Sequence, residues 1–145
     1  MKSSQDDQFS SSQASEFPTF HDGFLDGLCR QDKALYLFLR EYSGQQSTIL
    51  LKDVERANIT NFRFGNIIFE VLLLDSDMLS IAHMNELYDL QLGDADKAQE
   101  LLKAARAGGL WGLEINPSYE AECLFLFRAL QILPGHTLPQ RVAPV

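Results

Sequence analysis

The residues that could carry out chemistry are few, and their spacing argues against an enzyme. His21, His83 and His136 are scattered, without the paired spacing that places two zinc ligands on one helix face. Neither Cys29 nor Cys123 has a partner in a Cys-x-x-Cys pair. We therefore expect no metal, no cofactor and no catalytic residue.

Two other groups could bind phosphate or transfer a proton. Gly108-Gly109 lacks the Lys and Ser/Thr of a phosphate-binding loop and does not open a helix after a strand. Asp75 and Asp77 could be paired carboxylates, but Asp-Ser-Asp is also typical of a turn. Cys29 lies in an apolar segment that reads as a helix, where a packed thiol is expected before a nucleophile. The interest of the chain therefore lies in what it binds.

Length and charge limit the classes of partner. The chain has 145 residues, of which 46% are hydrophobic, so we expect one domain from residue 19 to 134. A disordered tail (1–18) is expected before it and a short tail (135–145) after it. Twenty acidic against 12 basic residues give a net charge of −8, which argues against nucleic acid and anionic membranes as partners. With no transmembrane run and no signal peptide recognised, a soluble protein with reduced cysteines is expected.

The most informative segment runs from residue 94 to 133. Apolar residues at helical spacing behind an N-cap at Asp94 predict a helix that ends near Ala107, with Gly108 as the left-handed residue after it. Residues 110–115 and 123–127 are short and rich in β-formers, which predicts two strands. Asn-Pro-Ser at residues 116–118 is turn chemistry, so the two strands are expected to form a hairpin.

The first half of the chain is less clear. An apolar stripe predicts a helix over residues 20–42. Residues 48–52 fit a short strand or an edge turn, and residues 53–56 are left open. Residues 58–87 are expected to form two or three strands, over 61–64, 66–74 and 78–87, with turns at 65–66 and 75–77.

The expected fold is thus α+β: an antiparallel sheet flanked by helices, in the order α-β-β-β-α-β-β. Residues 67–74 and 123–127 carry apolar side chains on both faces, whereas an antiparallel sheet in a small monomer usually has one wet face. Either both helices cover the second face, or part of it is kept for another polypeptide.

This order resembles the class I type III secretion chaperones (the Tir chaperone-like family), which bind virulence effectors in bacterial pathogens. The likeness covers residues 20–133, through the strands at 66–71 and 78–81 and the helix that ends in Gly108-Gly109-Leu110-Trp111. The family normally closes with another helix, whereas here Pro134, Pro139 and Pro144 follow the last strand and discourage one.

The resemblance implies a homodimer in the bacterial cytoplasm that does no chemistry. Its partners would be the N-terminal segment of a secreted effector, held non-globular for export, and the secretion ATPase. The implied dimer interface is the second helix and the strand after it: Leu101, Leu102, Ala105, Leu110 and Trp111. The implied effector contacts are on the first helix and the sheet: Phe24, Leu28, Phe62, Phe64, Phe69 and Val71. Core packing is the competing explanation for both sets.

Two other classes of function remain open on the residues alone. A non-catalytic adaptor or assembly subunit would share the dimer but bind a folded domain. A transcriptional regulator would need a helix-turn-helix over residues 50–69, whose second helix would carry Arg63 as its one basic residue, which makes a poor reader of DNA.

Overall fold

The computed structural model describes residues 20–63, 65–119 and 122–139. The predicted disordered tail lies outside these residues. The described chain contains eight strands and two helices, so the predicted α+β class with an antiparallel sheet is confirmed. In chain order the elements are β1 (Phe24–Gln31), β2 (Ala34–Arg40), β3 (Gln46–Lys52), β4 (Arg56–Thr60), β5 (Ile67–Leu74), α1 (Ile81–Tyr88), α2 (Ala95–Ala107), β6 (Trp111–Tyr119), β7 (Glu122–Phe127) and β8 (Ala129–Pro134).

The strands form one sheet in the order β4-β7-β6-β5-β1-β2-β3-β8. β3 and β4 lie near opposite edges of the sheet, yet only residues 53–55 join them, and Arg128 alone separates β7 from β8. Links this short require the sheet to fold over on itself. We call β1, β2, β3 and β8 the front half and β4, β7, β6 and β5 the back half.

The hydrogen-bond ladder continues through the bend between the two halves. The Arg128 N–H donates to the Lys52 carbonyl at 3.0 Å, and the Glu55 N–H donates to the Leu126 carbonyl at 2.7 Å. β3 with β4, and β7 with β8, are therefore two long strands that bend together.

The halves meet a second time between β1 and β5, and here the pairing is short. The ladder has one register pair, Phe24 with Ile67. Beside it the Asp22 N–H donates to the Ile68 carbonyl, and the Ile68 N–H donates to the Gly23 carbonyl, both at 2.9 Å. Beyond Ile68, none of the described strands pairs with this side of β5.

The main core lies between the two halves and a second cluster lies under the helices. Inward-facing side chains of both halves are almost fully buried: Leu37, Leu39, Ile49, Leu51, Leu113, Ile115, Phe125 and Phe127. On the other face of β7, Leu124 and Leu126 are each 1% exposed because α1 and α2 cover them. The second face of β7 is thus covered within the chain, by α1 and α2. The two described helices leave the outer face of the front half without such a cover.

The predicted helix over residues 20–42 is wrong, because this segment forms the β1–β2 hairpin. Leu35 and Leu39 fit a helical stripe, but Leu35, Leu37 and Leu39 also alternate, and the buried side is the alternating one. Asp32 takes a left-handed conformation (φ 53°) in the turn between the strands. The predicted order that begins with a helix is therefore also wrong, and residues 46–52 form a strand inside the sheet, not an edge turn.

Three other local predictions are corrected. Residues 81–88 form a helix instead of a strand. Ser80 caps this helix, and Met84 and Leu87, which are spaced to lie on one helix face, are buried. β6 runs through the predicted turn at 116–118, with Pro117 opposite Ile68 near a bulge. Residues 129–134 form an additional strand.

The helix from residue 95 to 107 is confirmed, but the left-handed residue that follows it is Gly109 (φ 67°), one position after Gly108. Within the described ranges, neither helix is long and apolar enough to cross a membrane.

Candidate functional site

One group of side chains has the composition of a catalytic triad: Ser80, His83 and Glu114. Ser80 Oγ lies 3.0 Å from His83 Nδ1, and His83 Nε2 lies 3.1 Å from Glu114 Oε2. However, Nδ1 already accepts the Ser80 backbone N–H at 2.9 Å, and Ser80 Oγ accepts the His83 N–H at 3.3 Å. These reciprocal bonds are those of a helix cap, in which the hydroxyl and the ring satisfy backbone N–H groups. The arrangement therefore anchors α1 and leaves no free base beside the hydroxyl.

The other side chains that could take part in chemistry have structural roles or are buried. Asp75 Oδ1 accepts the N–H groups of Asp77 and Met78, as expected of a turn residue. Cys29 is half-buried on β1, whereas Cys123 is buried in the core, where burial raises the pKa of its thiol to about 12. Among the residues that the structure describes, no group of three or more His, Cys, Asp or Glu side chains could hold a metal ion.

A groove of about 520 Å³ lies between the β1–β2 turn and the start of β4. Its rim carries three basic side chains and two acidic ones: Arg30, Lys33, Arg56, Asp32 and Glu55. Arg56 also donates to the Leu87 carbonyl and stacks over Tyr88 at 4.5 Å, so it holds α1 against β4. Because the groove carries both charges, it does not favour either an anionic or a cationic ligand.

The five candidate interface residues of α2 and β6 lie at contacts within the chain. Leu102, Ala105 and Leu110 are buried between the helices and the back half. Leu101 packs at the margin of that cluster, and Trp111 packs against the main core. Packing within a single chain accounts for this apolar stripe.

The candidate effector contacts are divided between core and surface. Val71 is buried in the main core, and Leu28 is partly buried against it. Phe24 lies on the outer face of the front half, where the Arg40 guanidinium stacks over its ring at 4.2 Å. Phe64 lies outside the described residues.

The two remaining candidates, Phe62 and Phe69, are exposed by 40% and 48%. Phe62 follows β4, and Phe69 lies on β5, where its ring meets His21 edge-on at a centroid distance of 5.2 Å. The structure therefore does not bring the six candidates together on one surface.

β5 provides the clearest binding geometry in the described chain. Its ladder with β6 is irregular between Ile68 and Glu70, and Phe69 is the residue without a register partner. This bulge shifts the alternation, so that Ile68 and Val71 both face the core while Leu72 is 38% exposed. Simple alternation from residue 67 to 74 is therefore broken at Phe69, and nothing in this apolar run of sequence marks the bulge. We call the side of residues 69–74 that faces away from β6 the β5 edge.

The segment of the chain that contains β5 is acidic. Residues 65–119 contain nine acidic and three basic side chains, whereas residues 20–63 contain six of each. Glu70 on β5 accepts a hydrogen bond from Asn116 Nδ2 at 3.1 Å. Burial, followed by the charges of Glu122 and Glu114, raises the pKa of Glu86 on α1. The excess of negative charge therefore lies in the segment that supplies β5, both helices and β6.

The helix-turn-helix required by a transcriptional regulator is contradicted. The described part of residues 50–69 contains the end of β3, all of β4 and the start of β5. The described residues of this segment form no helix that could enter a DNA groove.

Comparison with known proteins finds no family model, no curated protein and no solved structure that matches this chain. The function must therefore be inferred from its own residues.

Proposed function

We propose that the protein is a non-catalytic binding protein that holds an extended segment of another polypeptide as an added strand on the β5 edge. The observation that carries the proposal is the single register pair between β1 and β5, with Phe69 and Leu72 exposed beside backbone with which none of the described strands pairs. An added strand gains main-chain hydrogen bonds at such an edge, and neighbouring apolar side chains select residues at alternate positions of the ligand.

The acidic character of residues 65–119 defines the charge of the preferred ligand. An extended segment with apolar side chains at alternate positions and basic residues between them would match both Phe69 and Leu72 and the excess of carboxylates in residues 65–119. A segment of the same shape with acidic residues in place of the basic ones would be repelled by these carboxylates and should bind more weakly. Electrostatic complementarity should therefore act mainly on specificity and association rate.

The specific form of this proposal is a cytoplasmic chaperone of a bacterial type III secretion system. It would act as a homodimer, bind the N-terminal segment of an effector, keep that segment soluble and non-globular, and deliver it to the secretion ATPase. An apolar strand edge in an acidic segment of the chain suits such an unfolded client. Because a hairpin replaces the leading helix of the resemblance, the client contact is assigned to the β5 edge and not to a first helix.

The direct test uses short synthetic peptides and fluorescence anisotropy. The first peptide alternates apolar residues with Lys and Thr, and a matched peptide has Glu in place of Lys. We expect the Lys peptide to bind more tightly, and we expect Phe69→Asp to remove binding. Tyr42→Asp makes a similar change at a side chain that is 80% exposed and distant in sequence from β5, and it should bind normally.

Main-chain recognition has a separate control. N-methylation of alternate peptide residues removes donors from one edge of the ligand strand without changing its side chains. One of the two alternating methylation patterns should abolish binding and the other should not. Equal binding of both methylated peptides, or of the Phe69→Asp protein, would contradict strand addition.

The chaperone form is tested by the composition of the complex in host cells. Two copies of the protein with the N-terminal region of one secreted protein would support it. A complex with a folded domain that lacks an extended segment would favour the adaptor alternative instead.

A further inference from the structure

We infer that residues 1–19, the segment before Phe20, compete with the ligand for the β5 edge. In the absence of a ligand, residues 14–19 pair with this edge, and a ligand strand displaces them. The inference rests on the proposed function, because it assigns a regulator to the same site. Residues 20–23, which follow the segment, lie beside the β5 edge and fix the point from which the segment starts.

The strand directions bring the chain that leads into β1 to the β5 edge. β1 is antiparallel to β5, so residues that precede β1 lie beside residues that follow the start of β5. The Asp22 N–H donates to the Ile68 carbonyl at 2.9 Å. At the next position on each side, the His21 ring meets the Phe69 ring edge-on at a centroid distance of 5.2 Å. The chain before β1 thus reaches the first residue of the β5 edge.

Residues 20–23 form an anchored turn at this point. The Gly23 N–H donates to the Phe20 carbonyl at 2.8 Å, and the Phe20 side chain is buried in the main core. Gly23 also packs closely against the chain after β2, where a Cβ atom would lie 2.6 Å from the Arg40 carbonyl oxygen. A segment tethered beside the edge has an effective concentration there on the order of millimolar, so a weak contact is enough to occupy it.

The six residues directly before the turn match the length of the β5 edge. Residues 14–19 read Ala-Ser-Glu-Phe-Pro-Thr, and the edge spans residues 69–74. Pro18 has no N–H, and proline is accepted on an edge strand where that position faces solvent. Because N–H groups alternate between the two sides of a strand, those of Ser15, Phe17 and Thr19 would then face β5. Phe17 would supply the large apolar side chain of the contact.

The composition of the segment suits a weak contact that a ligand can displace. Residues 1–19 contain two aromatic side chains, Phe9 and Phe17, which are too few for a core of their own. Glu16 has the same sign of charge as the excess in residues 65–119, whereas the basic ligand of the proposed function has the opposite sign. A charged residue and a proline on the added strand also discourage further strand pairing, which protects an open edge from aggregation.

The first test measures binding of the alternating Lys peptide to the full chain by fluorescence anisotropy. Phe17→Ser removes the apolar contact of the segment, and Phe9→Ser makes the same change outside residues 14–19. We expect Phe17→Ser to lower the Kd of the peptide several-fold, because the apparent Kd rises as the fraction of free edge falls. Phe9→Ser should bind as the wild type does, and circular dichroism shows whether both variants fold.

Amide hydrogen exchange tests the contact without any ligand. In the free protein, Phe17→Ser should speed exchange several-fold at the amides of residues 69–74 that face away from β6, and Phe9→Ser should not. The segment holds the edge for only part of the time. These amides should therefore exchange faster in the free wild-type protein than in its complex with the Lys peptide.

Two proline variants change the main chain of the segment and keep the test decisive if Phe17→Ser does not fold. Ser15→Pro removes an N–H that faces β5, so it should speed exchange at the β5 edge as Phe17→Ser does. Glu16→Pro removes an N–H that faces solvent, so it should leave the exchange rates close to those of the wild type. Equal rates in the two proline variants would contradict strand pairing by this segment.

The competitor and the proposed function fail in different ways. If the Lys peptide binds the β5 edge but neither Phe17→Ser nor Ser15→Pro changes its Kd or the exchange in the free protein, the competitor is overturned and the proposed function stands. If the Lys peptide does not bind while both variants speed exchange at residues 69–74, the contact of the segment is supported and the proposed function fails. An equal effect of Phe9→Ser and Phe17→Ser would overturn the assignment to residues 14–19.

Discussion

His83 Nε2 lies 3.1 Å from Glu114 Oε2, and this contact ties the first turn of α1 to β6. Because His83 Nδ1 accepts the Ser80 backbone N–H, the ring proton belongs on Nε2, where it donates to the Glu114 carboxylate. One histidine thus completes a helix cap and joins the helix to the sheet. These three residues, together with Arg56 and the apolar cluster beneath the helices, hold α1 over the back half.

Removal of the cap hydroxyl should destabilise the protein. Ser80→Ala leaves the His83 N–H without its acceptor, and we expect a loss of about 1 kcal/mol in the free energy of unfolding. Ser80→Thr keeps an acceptor oxygen and should lose less. Urea unfolding followed by circular dichroism measures both variants, and equal stability of Ser80→Ala and wild type would contradict the capping role.

The stability contributed by Glu86 should depend on pH. Burial and the charges of Glu122 and Glu114 raise its pKa above the ordinary value of 4.5, so the folded state holds this proton more tightly than the unfolded state. Ionisation of Glu86 therefore lowers the free energy of unfolding as the pH rises above 4.5. Glu86→Gln should be more stable than wild type at neutral pH, by less than about 1 kcal/mol because the group is exposed to solvent.

The stability difference between Glu86→Gln and wild type should disappear in acid, where the Glu86 carboxyl group is protonated in both the folded and the unfolded state. Glu100→Gln on the exposed face of α2 is the matched control, and thermal unfolding across the pH range is the measurement. A Glu86→Gln variant that is less stable than wild type at neutral pH would contradict the proposed sign.

Gly112 should not accept a larger side chain. A Cβ atom there would lie 2.9 Å from Leu79 Cδ2 and 3.2 Å from Leu74 Cδ1, beneath the helix layer. Gly112→Ala should therefore cost about 1–3 kcal/mol in the free energy of unfolding. Gly93→Ala, where no atom lies within 4 Å, should be nearly neutral. Similar stability of the two variants would show that the cluster under the helices can accommodate a methyl group at position 112, which would contradict the prediction.

The second half of the fold was more predictable than the first for a physical reason. The helix from residue 95 to 107 has apolar residues at helical spacing between a polar start and a glycine stop, so local pattern and final structure agree. In residues 20–42, Leu35, Leu37 and Leu39 fit a strand as well as Leu35 and Leu39 fit a helix. Pairing with β3, which lies later in the sequence, decides between them.

Helix α1 shows a second limit of local patterns. It has eight residues, and a short apolar run of this length cannot be told from a strand by periodicity. Its start could have been recognised, since Ser80 precedes it, but the reciprocal partner at the third position is His83 and not the usual Glu or Gln.

The candidate site was predictable only in part. Phe69 was named from its place in an apolar strand, and it is exposed. Val71 was named for the same reason and is buried, because the bulge beside Phe69 shifts the face of every later residue.

The central claim is that an extended ligand pairs with the β5 edge, and amide hydrogen exchange measures this most directly. The alternating Lys peptide should slow exchange at those amides of residues 69–74 that face away from β6, while the amides of α2 keep their rates. Protection confined to other strands, or no change in β5 at peptide concentrations that saturate binding, would contradict the claim.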